Sequence, residues 1–317
     1  MSTGKPPVVV LTGPTASGKS EMAMEIARLC GAEIVSADSM QVYRHMDIGT
    51  AKPSRAEQRE VRHHLIDVCE PNRRFTVSDY QRLATEAIAG IRASGNLPLI
   101  VGGTGFYIDA LLLSFDLPAE DEEHRVRTNL MQRARMEGTD TLYRELLSVD
   151  PDSAERVHPN DVRRIIRALE VYTITGRPMS ELMRRGEPRY ASTIFALDVE
   201  RDHLYRRIDD RVDSQIANGL IGEVAYLLER YGDSLATARQ AIGYKEIIGY
   251  LEGKVSLPEA IETLKRNTRR YAKRQLTWFR RKDAVEWLPA TTNSERKAAT
   301  RRLREVVEGI LQNPIEC

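Results

Sequence analysis

An octapeptide near the amino terminus constrains this chain more than any other feature. Gly13-Pro14-Thr15-Ala16-Ser17-Gly18-Lys19-Ser20 fits the pattern G-x-x-x-x-G-K-[ST]. It follows a β-branched run, Pro7 to Thr12, and precedes apolar residues at helical spacing from Lys19 to Cys30. Strand, glycine loop and helix in that order form a phosphate cradle. Successive backbone N–H groups turn inward on a di- or triphosphate, the helix N-terminus adds a positive pole, and Lys19 adds a compact cation. Ser20 is placed to offer its hydroxyl to Mg²⁺. The pattern calls for a phosphorylated ligand but leaves open whether a phosphoryl group is transferred or diphosphate is lost.

The rest of the chain extends this opening unit. Strands are expected at Ala32 to Ala37, His64 to Cys69 and Leu97 to Val101, with a helix from Val77 to Ala93. Strands alternating with helices imply an α/β fold with a parallel sheet. After Leu113 the strand signal fades. Glu122 to Met136, Thr141 to Val149, Val162 to Thr173 and Met179 to Arg185 read as helices, broken at Asp150-Pro151, His158-Pro159 and Arg177-Pro178. Residues 116–188 are therefore expected to be a helical insertion, and 1–115 with 189–317 the α/β core. A strand from Ser192 to Val199 resumes that core. Helices then follow at Arg201 to Asn218, Ile221 to Arg230 and Pro258 to Lys282, a strand at Val285 to Leu288, and a last helix from Ser294 to Leu311.

Composition serves mainly to exclude. Of 317 residues 41% are hydrophobic, which rules out disorder and collagen-like repeats. Cys30, Cys69 and Cys317 contain no CxxC pair, so neither a disulfide framework nor a zinc site of ordinary spacing is available. A reducing cytoplasm is the expected setting. No apolar stretch approaches the length of a membrane span, so no membrane partner is expected, and the chain is expected to act as a monomer. Lys+Arg 47 against Asp+Glu 46 gives a net charge of +1, which as a total argues against a polyanion binder.

The distribution argues the other way. From Lys265 to Lys282 stand nine basic residues and no acidic one, with Tyr271, Trp278 and Phe279 interleaved. Such a run repels itself unless a polyanion lies on it, and phosphates with stacked bases would satisfy both halves of the pattern. In the insertion, Arg163 and Arg167 share a helix face with Arg164 nearby, either as a solvated face or as phosphate contacts. Asp38 follows the second strand, at the end where ligands bind in open α/β sheets. It could cap a helix, partner magnesium or act as a general base. Gly102-Gly103-Thr104-Gly105 ends the fourth strand, either as a tight turn into a helix or as a second wall for the same ligand. His63-His64 lacks partners at metal-ligand spacing, Met22 and Met24 read as core or surface of the first helix, and Lys5 and Arg73-Arg74 as ordinary surface charges.

Taken together, these blocks resemble a known family. The phosphate loop, Ser36 to Tyr43, Gly49-Thr50-Ala51-Lys52-Pro53, Val101 to Gly105, Gln240 to Glu246, Thr268 to Gln275 and Thr277 to Arg280 are similar, in order, to those of the bacterial tRNA dimethylallyltransferases. The resemblance spans nearly the whole chain. It implies a P-loop kinase-like core and transfer of a dimethylallyl group from dimethylallyl diphosphate to an adenine N6. The acceptor would be adenosine 37, on the 3′ side of the anticodon, in tRNAs reading codons that begin with U.

The resemblance also implies roles for residues. Lys19, the loop from Gly13 to Ser20 and Mg²⁺ on Ser20 would hold the departing diphosphate, helped by Thr104 and Arg127. Asp38 would take the proton that N6 sheds. The tRNA anticodon stem-loop would meet Asp38, Ser39, Met40 and Gln41, the stretch Val162, Arg163, Arg164, Ile165 and Ile166, and Gly243, Tyr244 and Lys245. On the basic helix it would meet Arg270, Lys273, Arg274, Trp278 and Arg280. Three other readings compete: a P-loop kinase of a small metabolite, a prenyltransferase of free adenine nucleotides, and an RNA-binding NTPase switch.

Overall fold

The computed structural model describes residues 4–113, 115–116, 125–184, 186–235 and 237–312. Among them six strands form one parallel sheet: β1 (Pro7–Thr12), β2 (Glu33–Ser36), β3 (His63–His64), β4 (Pro98–Val101), β5 (Ala191–Asp198) and β6 (Val285–Pro289). Their order is β3-β2-β4-β1-β5-β6, so β1 lies inside the sheet, and Val8 to Leu11 are fully buried. An uninterrupted apolar run is what a parallel strand covered on both faces requires.

Around the sheet run α1 (Lys19–Cys30), α2 (Arg55–Glu60), α3 (Val77–Ala93) and α4 (Gly105–Leu112). Next come α5 (Arg125–Met136), α6 (Thr139–Val149), α7 (Pro151–Arg156), α8 (Val162–Thr175) and α9 (Met179–Leu182). After β5 follow α10 (Arg201–Ala217), α11 (Leu220–Tyr231), α12 (Tyr244–Leu251), α13 (Leu257–Phe279) and α14 (Asn293–Gln312). Two compact units result, Met1–Leu112 with Arg189–Cys317, and Leu113–Pro188.

In the larger unit the sheet packs on α1 and α14, and Ile26, Leu99, Phe195, Leu303 and Val307 are buried there. A second cluster, with Tyr43, Val224, Tyr244 and Leu264, joins α11, α12 and α13 to the loop after β2. The smaller unit has its own core, in which Leu130, Leu142, Leu146, Ile165, Ile166 and Leu169 meet as α8 packs on α5 and α6.

The third strand departs from expectation. His64 to Cys69 reads as a strand, but pairing stops after His64 because Leu65 and Asp67 take left-handed backbone angles, φ 63° and 57°. Cys69 instead bridges Tyr43. The turn into a helix after Gly102-Gly103-Thr104-Gly105 is present as α4, whereas α2, α7 and α12 have no counterpart in the sequence reading. None exceeds eight residues, too short for a periodic apolar stripe to show. α13 begins at a capping box of Ser256 and Glu259 and stops at Phe279, short of Lys282. The expected helical positions Glu122 and Arg185, and Cys317, lie outside the described residues.

Candidate active site

The phosphate loop leaves β1 and enters α1 with three residues at positive φ: Gly13 at 140°, Ala16 at 63° and Gly18 at 93°. Such turns point consecutive amides inward. Lys19 folds back so that its Nζ donates to the Pro14 carbonyl at 3.2 Å. Burial, then the charge of Arg211, lowers the Lys19 pKa to about 8, with Asp38 pulling the other way. A cation this poorly solvated gains most from an incoming polyanion. Arg211 reaches the same place from α10, its Nη1 donating to Thr15 Oγ1 at 3.0 Å, and burial holds its own pKa below the usual arginine range.

Asp38 stands opposite, just past β2. Its Oδ1 accepts the N–H groups of Met40 at 2.8 Å and Gln41 at 3.3 Å. The cap and the chemical role are therefore compatible: one oxygen holds the turn, and the carboxylate still lines the cavity. The second glycine loop lies alongside, the Thr104 N–H donating to the Ala37 carbonyl and the Thr104 hydroxyl accepting the Ser39 N–H, each at 3.0 Å. Thr12 Oγ1 donates to the Gly102 carbonyl at 2.8 Å, fastening the two loops at their bases.

The basic helix α13 supplies the third wall. Gln275, buried, accepts the Thr15 N–H at 2.8 Å and donates to the Gly103 carbonyl at 3.0 Å, so one amide side chain spans both glycine loops. A side chain at Gly103 would collide with it. Tyr271 also lines the cavity, and burial, then the Asp38 charge, pushes its phenol up to about 12. Trp278 donates from Nε1 to Asp109 at 3.2 Å, and Lys282 pairs with the same carboxylate.

The nine positive charges are thus not all unneutralised. Lys265 pairs with Asp213, Arg269 with Asp209 and Lys282 with Asp109, acids contributed by α10 and α4. Arg270, Lys273 and Arg281 are exposed and form no ion pair among the described residues, while exposed Arg274 lies over the Tyr271 ring. Arg280, also exposed, lies over Trp287 and 3.6 Å from Asp198.

In the loop Gly49-Thr50-Ala51-Lys52-Pro53, residues Thr50 to Pro53 form a fourth wall. Glu223 on α11 accepts the N–H groups of Asp47, Ile48 and Gly49 at 2.8, 2.7 and 3.0 Å and the Tyr244 hydroxyl at 2.6 Å. Lys52 is buried between Asp47 and Asp67. Gln41 donates to the Thr50 and Ala51 carbonyls, each at 3.3 Å, tying this loop to the Asp38 turn.

The cavity these walls enclose, about 340 Å³, brings together Thr15 to Ser20 in part, Asp38, Gln41, Tyr271 and Gln275. It also contains Arg207 and Arg211, which sequence reasoning missed. They are four apart on α10, but Asp209 and Asp210 between them give that stretch the look of an ordinary mixed surface. Met24, read as core or surface, and His63, set aside as a metal ligand, line it as well.

Several expected tRNA contacts are otherwise engaged. The side chains of Ile165 and Ile166 are buried in the helical unit's own core, because the apolar stripe of α8 faces α5 and α6. Arg163 and Arg164 are exposed, and Arg164 lies 3.4 Å from Asp161. Tyr244 is buried against Glu223, while Lys245 beside it is exposed. Arg127, on α5, holds Glu170 at 2.7 Å and its Nε is buried without a partner. Burial opposes ionisation of Glu170, but hydrogen bonds from Arg127 and Arg167 hold its pKa below the usual range.

A family model described as IPP transferase matches residues 41–282. The tRNA dimethylallyltransferase of Desulforudis audaxviator (strain MP104C) is 54% identical over 289 residues, covering 90% of this chain and 93% of the relative. That of Pelotomaculum thermopropionicum is 45% identical over 309 residues, covering 97% and 98%. Among solved structures, the full-length tRNA isopentenylpyrophosphate transferase of Bacillus halodurans aligns with a TM-score of 0.71 at 43% identity, over 97% of each chain. A eukaryotic dimethylallyltransferase acting on tRNA aligns with a TM-score of 0.82 at 29% identity, covering 98% of this chain and 81% of that one.

Proposed function

The chain belongs to the IPP transferase family, and from that premise we propose how its residues carry the reaction. It is a tRNA dimethylallyltransferase that prenylates adenosine 37. The donor is dimethylallyl diphosphate and the acceptor atom is N6. The observation that carries this reading is the single cavity in which the phosphate loop faces Asp38.

The allylic C1–O bond breaks, the N6–C1 bond forms, the N6 proton passes to Asp38, and diphosphate departs. An allylic cation is delocalised, so the protein's principal task is to stabilise the departing charge. Lys19, the loop amides and Arg211 do so from three directions. The exocyclic nitrogen is a weak nucleophile because its lone pair is shared with the ring, and the Asp38 carboxylate removes the proton as the bond forms.

The donor set fits Mg²⁺. Exposed Ser20 at the start of α1 contributes a hydroxyl beside the diphosphate site, and among the described residues no cluster of three His, Cys, Asp or Glu offers a softer or higher-charge cage. Mg²⁺ commonly takes one or two protein oxygens and completes its shell with phosphates and water. When bound it would neutralise the departing diphosphate.

The exposed charges of α13 receive the anticodon stem-loop, joined by Arg163, Arg164 and Lys245. Arg127 acts through the helical unit, where its buried Nε remains available to a ligand. Among the described residues no helix is long and apolar enough to cross a membrane. The test is transfer of label from dimethylallyl diphosphate to unmodified tRNA and to AMP in parallel. Label in tRNA alone is expected. Label in AMP alone, or ATP consumption without transfer, would overturn the assignment.

A further inference from the structure

We infer that Arg296, on the last helix, is a positioning residue for the reaction: it aims the Gly18 amide at the diphosphate. The inference rests on reading the cavity over Gly13 to Ser20 as the diphosphate site. Arg296 does not line that cavity. It approaches the loop from α14, behind it. Its Nη2 donates to the Ser17 carbonyl at 2.8 Å, its Nε to the Ala290 carbonyl at 3.3 Å, and its Nη1 to Glu21 at 3.1 Å.

The consequence follows from peptide geometry. In a trans peptide the carbonyl and the N–H point in opposite directions. Fastening the Ser17 carbonyl toward α14 therefore turns the Gly18 N–H away from that helix, toward the cavity that Gly18 lines. Among the described residues this N–H has no acceptor, so it is ready for a ligand oxygen. Gly18 has φ 93°, and a Cβ there would collide with the Arg296 guanidinium. The two positions are complementary: the glycine leaves the space and the arginine fills it. A guanidinium can span the carbonyls of Ser17 and Ala290 with separate N–H groups in a fixed fork, whereas a lysine ammonium is a point donor on a flexible stem.

The experiment measures inorganic diphosphate binding, donor KM and tRNA binding for Arg296→Ala, Arg296→Lys and Leu303→Ala. Arg296→Ala should bind diphosphate about tenfold more weakly and raise the donor KM by a similar factor, with tRNA affinity unchanged. Added methylguanidinium should restore part of the loss. Leu303→Ala, which loosens α14 without touching the loop, should lower Tm and leave diphosphate binding unchanged. Wild-type diphosphate affinity in Arg296→Ala, or an equal loss in Leu303→Ala, overturns the inference. Should Arg296→Ala fail to fold, Arg296→Lys decides: a loss of affinity at near-native Tm supports it, and native affinity refutes it. If the wild-type chain binds diphosphate yet transfers no prenyl group, the assigned reaction falls while this inference stands.

Discussion

Two helices, α1 and α13, deliver residues to one cavity, and they differ in how their sequences relate to their roles. α1 acts through its first turn. What it does follows from the loop that precedes it, because backbone amides, a lysine and a serine suffice to hold phosphate wherever this motif is built. α13 acts through two opposite faces along its length. Its inner face carries Ala272, Gln275 and Phe279, all buried, and its outer face carries Arg270, Lys273 and Arg274, all exposed. A local motif can be recognised alone, whereas a helix with two audiences must be seen with both.

This contrast predicts effects of different kinds. The largest is expected at Asp38→Asn, which keeps the turn but cannot take the proton. Single-turnover prenyl transfer should fall by roughly 10³-fold while both substrates still bind. An unchanged chemical rate would return Asp38 to the role of a cap. Next is Lys19→Met, for which kcat/KM with the donor should fall about a hundredfold or more, while tRNA affinity stays as it was. On α13, Gln275→Ala should cost about tenfold in donor affinity, because the Thr15 and Gly103 backbone groups both lose their partner. Native donor affinity in that variant would reduce the inner face to packing.

Smaller effects separate the two kinds of basic residue on α13. Lys273→Ala should weaken tRNA binding a few-fold and flatten the slope of log K against log salt by about 1. Arg269→Ala should lower Tm and leave that slope unchanged, since Arg269 is already held by Asp209. Equal slopes in the two variants would erase the distinction between faces.

The smallest is a proton count. Lys19 in the unliganded protein titrates near pH 8, against 10.5 for the ordinary side chain. Between those values the unfolded chain binds more protons than the folded one at this site, so the site's contribution to stability rises with pH. Donor binding at pH 9 restores the charged form, and calorimetry in two buffers should detect proton uptake that Lys19→Met abolishes.

The residues legible in sequence are those whose function is set by neighbours along the chain. Gly13 to Ser20, the Asp38 turn and the glycine loop at Gly102 sit at strand ends, where a parallel sheet gathers ligands. Arg207, Arg211, Gln275 and Glu223 were not legible. Each acts on a segment over sixty residues away in sequence, and nothing local marks it: Gln275 sits amid basic residues, and Glu223 resembles any surface acid of an amphipathic helix. The segregation of charge was visible, but its neutralisation by Asp109, Asp209 and Asp213 depended on which helices pack together.

Gln275 has one more consequence. Because its amide is shared by the two glycine loops while the same helix presents Lys273 and Arg274 outward, the proposed reading has donor and RNA meeting a common element from opposite sides. Thermodynamic linkage then binds the two equilibria together: whatever factor bound RNA contributes to the donor's affinity, bound donor must return to the RNA's.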